Sequence, residues 1–153
     1  MTGVLKGVRD LAWNGFVDAH IAAYRLTGGR IGGTFRGVQT LLLDHVGRRS
    51  GKQRTNPLLY ITDGDDLVIV ASRGGSHRHP AWWLNLRDSP RTTVQVGAER
   101  REVVAREAGD DERARLWPRL VEAWPDYAAY QRRTERRIPV IVLSPAGAAG
   151  PDA

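Results

Sequence analysis

The chain has 153 residues, 41% of them hydrophobic and 26% charged, with 23 basic against 17 acidic residues and a formal net charge of +6. That length suits one domain with one hydrophobic core, and no apolar run approaches the roughly 20 residues needed to cross a bilayer. The sequence holds no cysteine, which excludes disulfides and thiolate chemistry, and no secretory leader pattern, so a cytoplasmic protein is expected.

In chain order, Leu11 to Tyr24 carries Trp13, Phe16, Val17, Ile21 and Tyr24 at helical spacing, with Asn14 and Asp18 on another face. This predicts an amphipathic helix. Its apolar side either packs on the body of the domain or, with Lys6 and Arg9 nearby, rests peripherally on the inner face of the cell membrane. Gly28-Gly29-Arg30-Ile31-Gly32-Gly33 breaks the helix and acts as a flexible connection. Its glycines follow no strand, so they make no dinucleotide fingerprint. Residues 1–31 are thus read as N-terminal helix and linker, 32–144 as the domain proper, and 145–153, small and polar, as a disordered tail.

From Thr40 the period changes. Thr40 to Val46, Asn56 to Thr62 and Asp66 to Ser72 are short runs rich in Leu, Ile and Val, and Asp63-Gly64 between the last two is a hairpin signal. A helix is predicted over Pro80 to Arg87, stopped by Asp88-Ser89-Pro90. Thr92 to Val96 and Glu102 to Arg106 form a hairpin around Gly97, Asp110-Asp111-Glu112 opens a helix running to about Ala123, Tyr127 to Thr134 is helical, and Ile138 to Leu143 is the last strand. Six strands joined mainly by hairpins, with helices inserted, predict a mainly β fold with flanking helices, an antiparallel barrel.

Three segments carry chemistry. Gly47-Arg48-Arg49-Ser50-Gly51-Lys52-Gln53-Arg54 places four cations, a hydroxyl and two glycines between two strands, a site for phosphate or carboxylate oxygens or else an ordinary basic turn. The order is not that of a P-loop. Only Lys6 and Lys52 are lysines, and between Arg30 and Arg54 six cations face the single carboxylate of Asp44, which favours an anionic partner there. Ala71-Ser72-Arg73-Gly74-Gly75 ends a strand in a hydroxyl, a cation and two glycines that let a ligand approach the backbone. His79-Pro80-Ala81-Trp82-Trp83-Leu84-Asn85-Leu86 sets paired tryptophans on a short helix, as core or as a cofactor platform. His77 and His79 lack the Cys or carboxylate partners of a metal site, and the Asp110 cluster reads as helix N-terminal charge.

Taken together with Thr55-Asn56-Pro57-Leu58 and Trp124-Pro125-Asp126-Tyr127-Ala128-Ala129-Tyr130-Gln131, these segments resemble the ordered motifs of the deazaflavin (coenzyme F420)-dependent nitroreductase and F420H2-dependent quinone reductase family, from about Gly32 to Leu143. The resemblance implies an antiparallel, flavin-reductase-like split β-barrel, found in actinobacterial oxidoreductases, that uses reduced F420. It further implies that Arg48, Arg49, Ser50 and Arg54 hold the cofactor's phosphate and oligoglutamate tail, and that Thr55, Asn56 and Pro57 line the deazaflavin's path. Val70, Ala71, Ser72 and Arg73 would edge the ring system, and Ala81, Trp82, Trp83, Leu84 and Asn85 would form the remaining wall. Tyr127 would close the pocket. In this reading Ser72, Tyr127 and Tyr130 are the catalytic candidates, Ser72 bonding ring or substrate and the tyrosines donating to the acceptor.

The implied acceptor is a quinone or a nitroaromatic compound. Where nitroimidazole-activating members carry tyrosines, this chain has Leu59 and Trp124, which removes two hydroxyls and favours an apolar quinone. Two other readings stand beside it: an FMN-binding reductase on the same barrel, and a basic barrel for single-stranded nucleic acid. The second is disfavoured because the cations cluster on one turn instead of tracking a groove, so nucleic acid is not an expected partner.

Overall fold

The computed structural model describes residues 2–147 and the side chains of residues 14–147; the end of the predicted tail, 148–153, and the side chains of Lys6, Arg9 and Trp13 lie outside the described residues. Strand alternation builds the interior. Leu41 and Leu43 of β2 (Val38–Val46), Leu67 and Ile69 of β5 (Asp66–Val70), Val103 and Ala105 of β7 (Glu99–Glu107), and Ile141 and Leu143 of β8 (Val140–Pro145) all point to one buried cluster. Helix α2 (Ala81–Asp88) contributes Trp82, Trp83 and Leu86 to that cluster, so the sheet curls around it.

The opposite faces of β5 and β8 are buried as well. Val68, Val70, Val140 and Val142 pack beneath Leu116 and Leu120 of α3 (Asp110–Ala123) and Tyr127 of α4 (Asp126–Arg132). A strand covered on both faces has no solvent side on which to place polar residues. That is why Leu67–Val70 and Val140–Leu143 read as unbroken apolar runs.

Among the described residues eight strands form an antiparallel sheet in the order β1 (Thr34–Phe35), β2, β6 (Arg91–Val96), β7, β8, β5, β4 (Ile61–Asp63), with β3 (Gln53–Leu59) paired to β2. It is the expected antiparallel split barrel, with two more strands than the six predicted. The first addition is β1, joined to β2 through Arg36-Gly37, both at positive φ (49° and 79°), a tight hairpin too short to show a hydrophobic period. The second arises because the run read as one strand from Asn56 to Thr62 is two. β3 pairs with β2 and β4 pairs with β5, and between them lies the buried Tyr60, whose amide donates to Gln39 O at 3.0 Å.

Helix α1 (Thr2–Thr27) extends beyond the predicted segment in both directions. Its last turns are keyed to the barrel by Tyr24, 1% exposed, whose hydroxyl accepts from the Gly97 amide at 2.8 Å and faces the carbonyls of Thr40 and Gln95 at 3.0 and 3.2 Å. The glycine run after it is a built turn, not a loose connection: Gly29 N–H donates to Tyr24 O, and Gly32 O lies 3.0 Å from His20 Nε2. Among the described residues no helix is long and apolar enough to cross a membrane. Tyr24→Phe leaves the Gly97 amide without its buried acceptor and is expected to cost about 1–3 kcal/mol, read as a lower urea midpoint at unchanged slope.

Candidate active site

The β2–β3 connection is a closed turn in which Gly47 N–H donates to Lys52 O (2.9 Å) and Gly51 N–H to Gly47 O (2.8 Å). Gly51 sits at φ 68°, a conformation that strains a residue bearing a Cβ. The turn is tied to α2, because the Arg48 amide donates to Asn85 Oδ1 at 3.1 Å. Arg48, Arg49, Ser50 and, on β3, Arg54 thereby line one cavity of about 900 Å³ together with Arg73, Arg78, His79, Ala81, Leu84 and Trp82.

Among the described residues no carboxylate lines that cavity, and none of Arg48, Arg49, Arg54, Arg73 or Arg78 has an acidic partner. Asp44 is engaged on the α1 side, by Arg25 at 3.0 Å, Arg100 at 3.2 Å and the Thr55 hydroxyl at 2.6 Å. Five guanidinium groups around a concave wall concentrate positive potential, the field an anionic ligand meets.

A second cavity of about 550 Å³ adjoins the first, the two sharing Asn56, Arg73, Pro80 and Trp82. Its wall carries Pro57, Leu58, Leu59, Val70, Phe35 and Trp124, with Ser72, Tyr127 and Tyr130 as hydroxyl residues beside His20, Thr40 and the shared Asn56 and Arg73. Burial raises the Tyr127 hydroxyl well above its ordinary value, so it stays protonated throughout the physiological range. The Tyr127 and Tyr130 rings meet edge-on at 6.2 Å. Leu59 and Trp124 both line this limb, and Trp124 stacks obliquely on Phe35 at 5.7 Å.

The loop that carries Ser72 is held from two sides. Arg136 donates to the carbonyls of Ser72 (Nη2, 2.7 Å), Ser76 (Nε, 2.7 Å) and Ala71 (Nη1, 3.2 Å), and its Nη1 also reaches His79 Nδ1 at 3.1 Å. A guanidinium only donates, so His79 Nδ1 accepts and the ring proton sits on Nε2. Burial, then Arg136 and Arg87, push the His79 pKa below its ordinary value, in keeping with a neutral ring. On the other side Gly75, at φ 83°, lies so close to α4 that a Cβ there would stand 2.7 Å from Tyr130 O.

Most residues singled out from the sequence meet at this double cleft. Arg48, Arg49, Ser50, Arg54, Ala81, Leu84 and Asn85 line the cationic limb, Pro57, Val70, Ser72, Tyr127 and Tyr130 the apolar one, and Asn56, Arg73 and Trp82 both. Three do not reach it. Thr55 faces α1, bonded to Asp44 and Arg25, while Ala71 and Trp83 are buried in the interior cluster. His45, Phe35 and Arg136 escape sequence reading: a lone histidine in an apolar strand looks like core, and an arginine within Glu135-Arg136-Arg137 looks like solvated charge.

An arginine-lined limb opening into an apolar limb on an antiparallel split barrel places the chain in the flavin-reductase-like class of folds. Residues 17–145 match the family model described as F420H(2)-dependent quinone reductase, and the chain belongs to that family. In Mycobacterium tuberculosis, Rv3178, provisionally named for that activity, is 51% identical over 117 residues, covering 76% of this chain and 98% of that one. From the same organism, the F420H(2)-dependent quinone reductase Rv1261c is 43% identical over 129 residues, covering 82% and 87%. The solved structure of the F420-H2 dependent reductase FDR-A superposes with a TM-score of 0.63 at 38% identity, covering 69% of this chain and 93% of that chain. Arg136→Ala is expected to release the loop after β5, raising amide hydrogen exchange over residues 72–79 about tenfold or more while the strands keep their protection.

Proposed function

We propose that this chain binds reduced F420 along the double cleft and passes its reducing equivalents to a quinone. One observation carries the reading: five guanidinium groups without a carboxylate partner adjoin, at Trp82, an apolar limb that carries Ser72 and Tyr127. An elongated cofactor with an anionic tail and a flat ring fits that order of limbs. In this reading Arg48, Arg49, Ser50 and Arg54 hold the phosphate and oligoglutamate tail. Asn56, Pro57, Val70, Ser72 and Arg73 edge the ring system, and Ala81, Trp82, Leu84 and Asn85 form the facing wall. Thr55, Ala71 and Trp83 support those walls from behind.

Bound reduced F420 supplies a hydride. Reduction of a quinone by hydride also consumes a proton, and the protein's part is to orient the acceptor, exclude water and hold that proton near the acceptor oxygen. The Tyr127 hydroxyl, kept protonated by burial, donates a hydrogen bond at that oxygen and is restored from solvent. Ser72 supplies a second polar contact, and Tyr130, edge-on to Tyr127, fixes the phenol's orientation. Leu59 and Trp124 add no hydroxyl to the acceptor limb, which suits a greasy quinone better than a nitroimidazole.

Titration of the purified protein with F420, followed by fluorescence quenching, is expected to saturate in the micromolar range. Arg54→Ala should weaken it by about 10- to 100-fold, the loss of one charge-assisted contact, at unchanged melting temperature. Absence of saturable binding would remove the proposal. With F420H2 as donor and menaquinone-like, benzoquinone and nitroaromatic acceptors in parallel, turnover should be fastest with the quinones. Tyr127→Phe should lower kcat more than it changes F420 affinity; equal rates in the two proteins would take the proton-donating role away from this residue.

A further inference from the structure

We propose that His45 is a positioning residue: it relays the polarity of the Arg48 backbone amide to Asn56 and so aims an amide N–H at the ligand where the two limbs of the cleft join. This rests on the cofactor reading above and adds to it a residue of the cleft wall that acts through Asn56. The starting point has no ambiguity, because a backbone N–H can only donate. The Arg48 amide lies 3.1 Å from Asn85 Oδ1, which fixes the orientation of the Asn85 amide. Asn85 Nδ2 then donates to His45 Nδ1 at 2.9 Å. That nitrogen must be bare, so the ring proton sits on Nε2 and is donated to Asn56 Oδ1 at 2.6 Å. With its oxygen turned to His45, the Asn56 amide holds its NH2, which can only donate, on its other side, and Asn56 lines both limbs.

The relay is almost wholly buried at the cleft wall. His45 is 4% and Asn85 3% exposed, and the chain of bonds joins the β2–β3 turn, α2, β2 and β3. Protonation would place a second N–H on Nδ1, facing the Asn85 NH2. Relief by flipping Asn85 would set that NH2 against the Arg48 amide, so one proton breaks the order of donors and acceptors from end to end. The charged groups around the ring divide. Arg54, its cross-strand neighbour, opposes the imidazolium, as does the Arg48 guanidinium, which reaches Asn85 Oδ1 at 3.5 Å. Asp44 favours it but is already held by Arg25 and Arg100, and the remaining partners, Asn56 and Asn85, are neutral. Burial is the largest effect and lowers the pKa from 6.5.

The test has a readout that needs no cofactor. In 15N NMR of the histidine rings of the apo protein, His45 is expected as a single Nε2–H tautomer titrating below the ordinary histidine range. An Nδ1–H tautomer, or titration at an ordinary value, would overturn the proposal. F420 affinity is then measured against pH for the wild type, His45→Gln and His45→Leu. Wild-type affinity should fall as the pH drops through the apo pKa of His45. Gln can accept from Asn85 and donate to Asn56, so His45→Gln should bind within about threefold of wild type at neutral pH and lose the acid limb. His45→Leu should bind about tenfold more weakly, the equivalent of one hydrogen bond. A His45→Gln protein that keeps the acid limb, or loses as much affinity as His45→Leu, would sink the relay. Wild-type protein that never binds F420 yet shows the Nε2–H tautomer would overturn the cofactor reading while supporting the ring state proposed for His45.

Discussion

The electrostatics of the cleft depend on where one carboxylate points. Asp44 and His45 are neighbours on β2, and strand alternation sends their side chains to opposite faces. Asp44 goes to the α1 side, where Arg25, Arg100 and Thr55 bind it, and His45 goes to the cleft side. A register shift of one residue would exchange them and neutralise part of the cation field. That register is held by seven residue pairs between β2 and β3, from Thr40 opposite Leu59 to Val46 opposite Gln53, and by the buried Leu41 and Leu43 on the interior face. The positive potential of the site thus follows from the same hydrophobic alternation that makes the barrel.

Helix α2 divides its labour in a similar way. Consecutive residues on a helix point about 100° apart, so Trp83 enters the interior, with Arg87 6.0 Å from its ring, while Trp82 reaches the seam between the two limbs. Both are buried in the interior cluster, and of the two Trp82 also lines the cleft. The loop after β5 is fixed from a distance by Arg136, whose carbonyl acceptors lie about sixty residues earlier in the chain. Positioning by a rigid second layer suits a reaction in which the bound cofactor supplies the chemistry and the protein supplies geometry.

Local composition made much of this readable. The apolar runs of β5 and β8, the Asp63-Gly64 turn and the start of α3 at Asp110 follow from burial, turn chemistry and end charge, and all stand where those rules put them. The cation cluster was visible because charge needs no tertiary information to be counted. Face and partner were not visible. Thr55 and Asn56 are adjacent and polar, and only the pairing with β2 decides that Thr55 serves Asp44 while Asn56 meets His45. Tyr60 marks a change of strand partner inside an uninterrupted pattern, and Arg136 takes its meaning from groups that the linear order keeps far away.

The contact at Gly75 has a mechanical consequence. The backbone of the Ser72 loop is pressed directly on the backbone of α4, and Arg133 donates to Gly74 O at 3.3 Å, so loop and helix are coupled without an intervening side chain. The serine hydroxyl and the phenol pair are thereby carried on segments packed backbone to backbone. Another part of the wall is built from the two-residue strand β1, which offers Phe35, half exposed, and the Arg36 guanidinium lies 5.7 Å from the Trp124 ring centre. That side of the greasy chamber is thus joined to the sheet by two residue pairs, against the seven that hold β3 to β2.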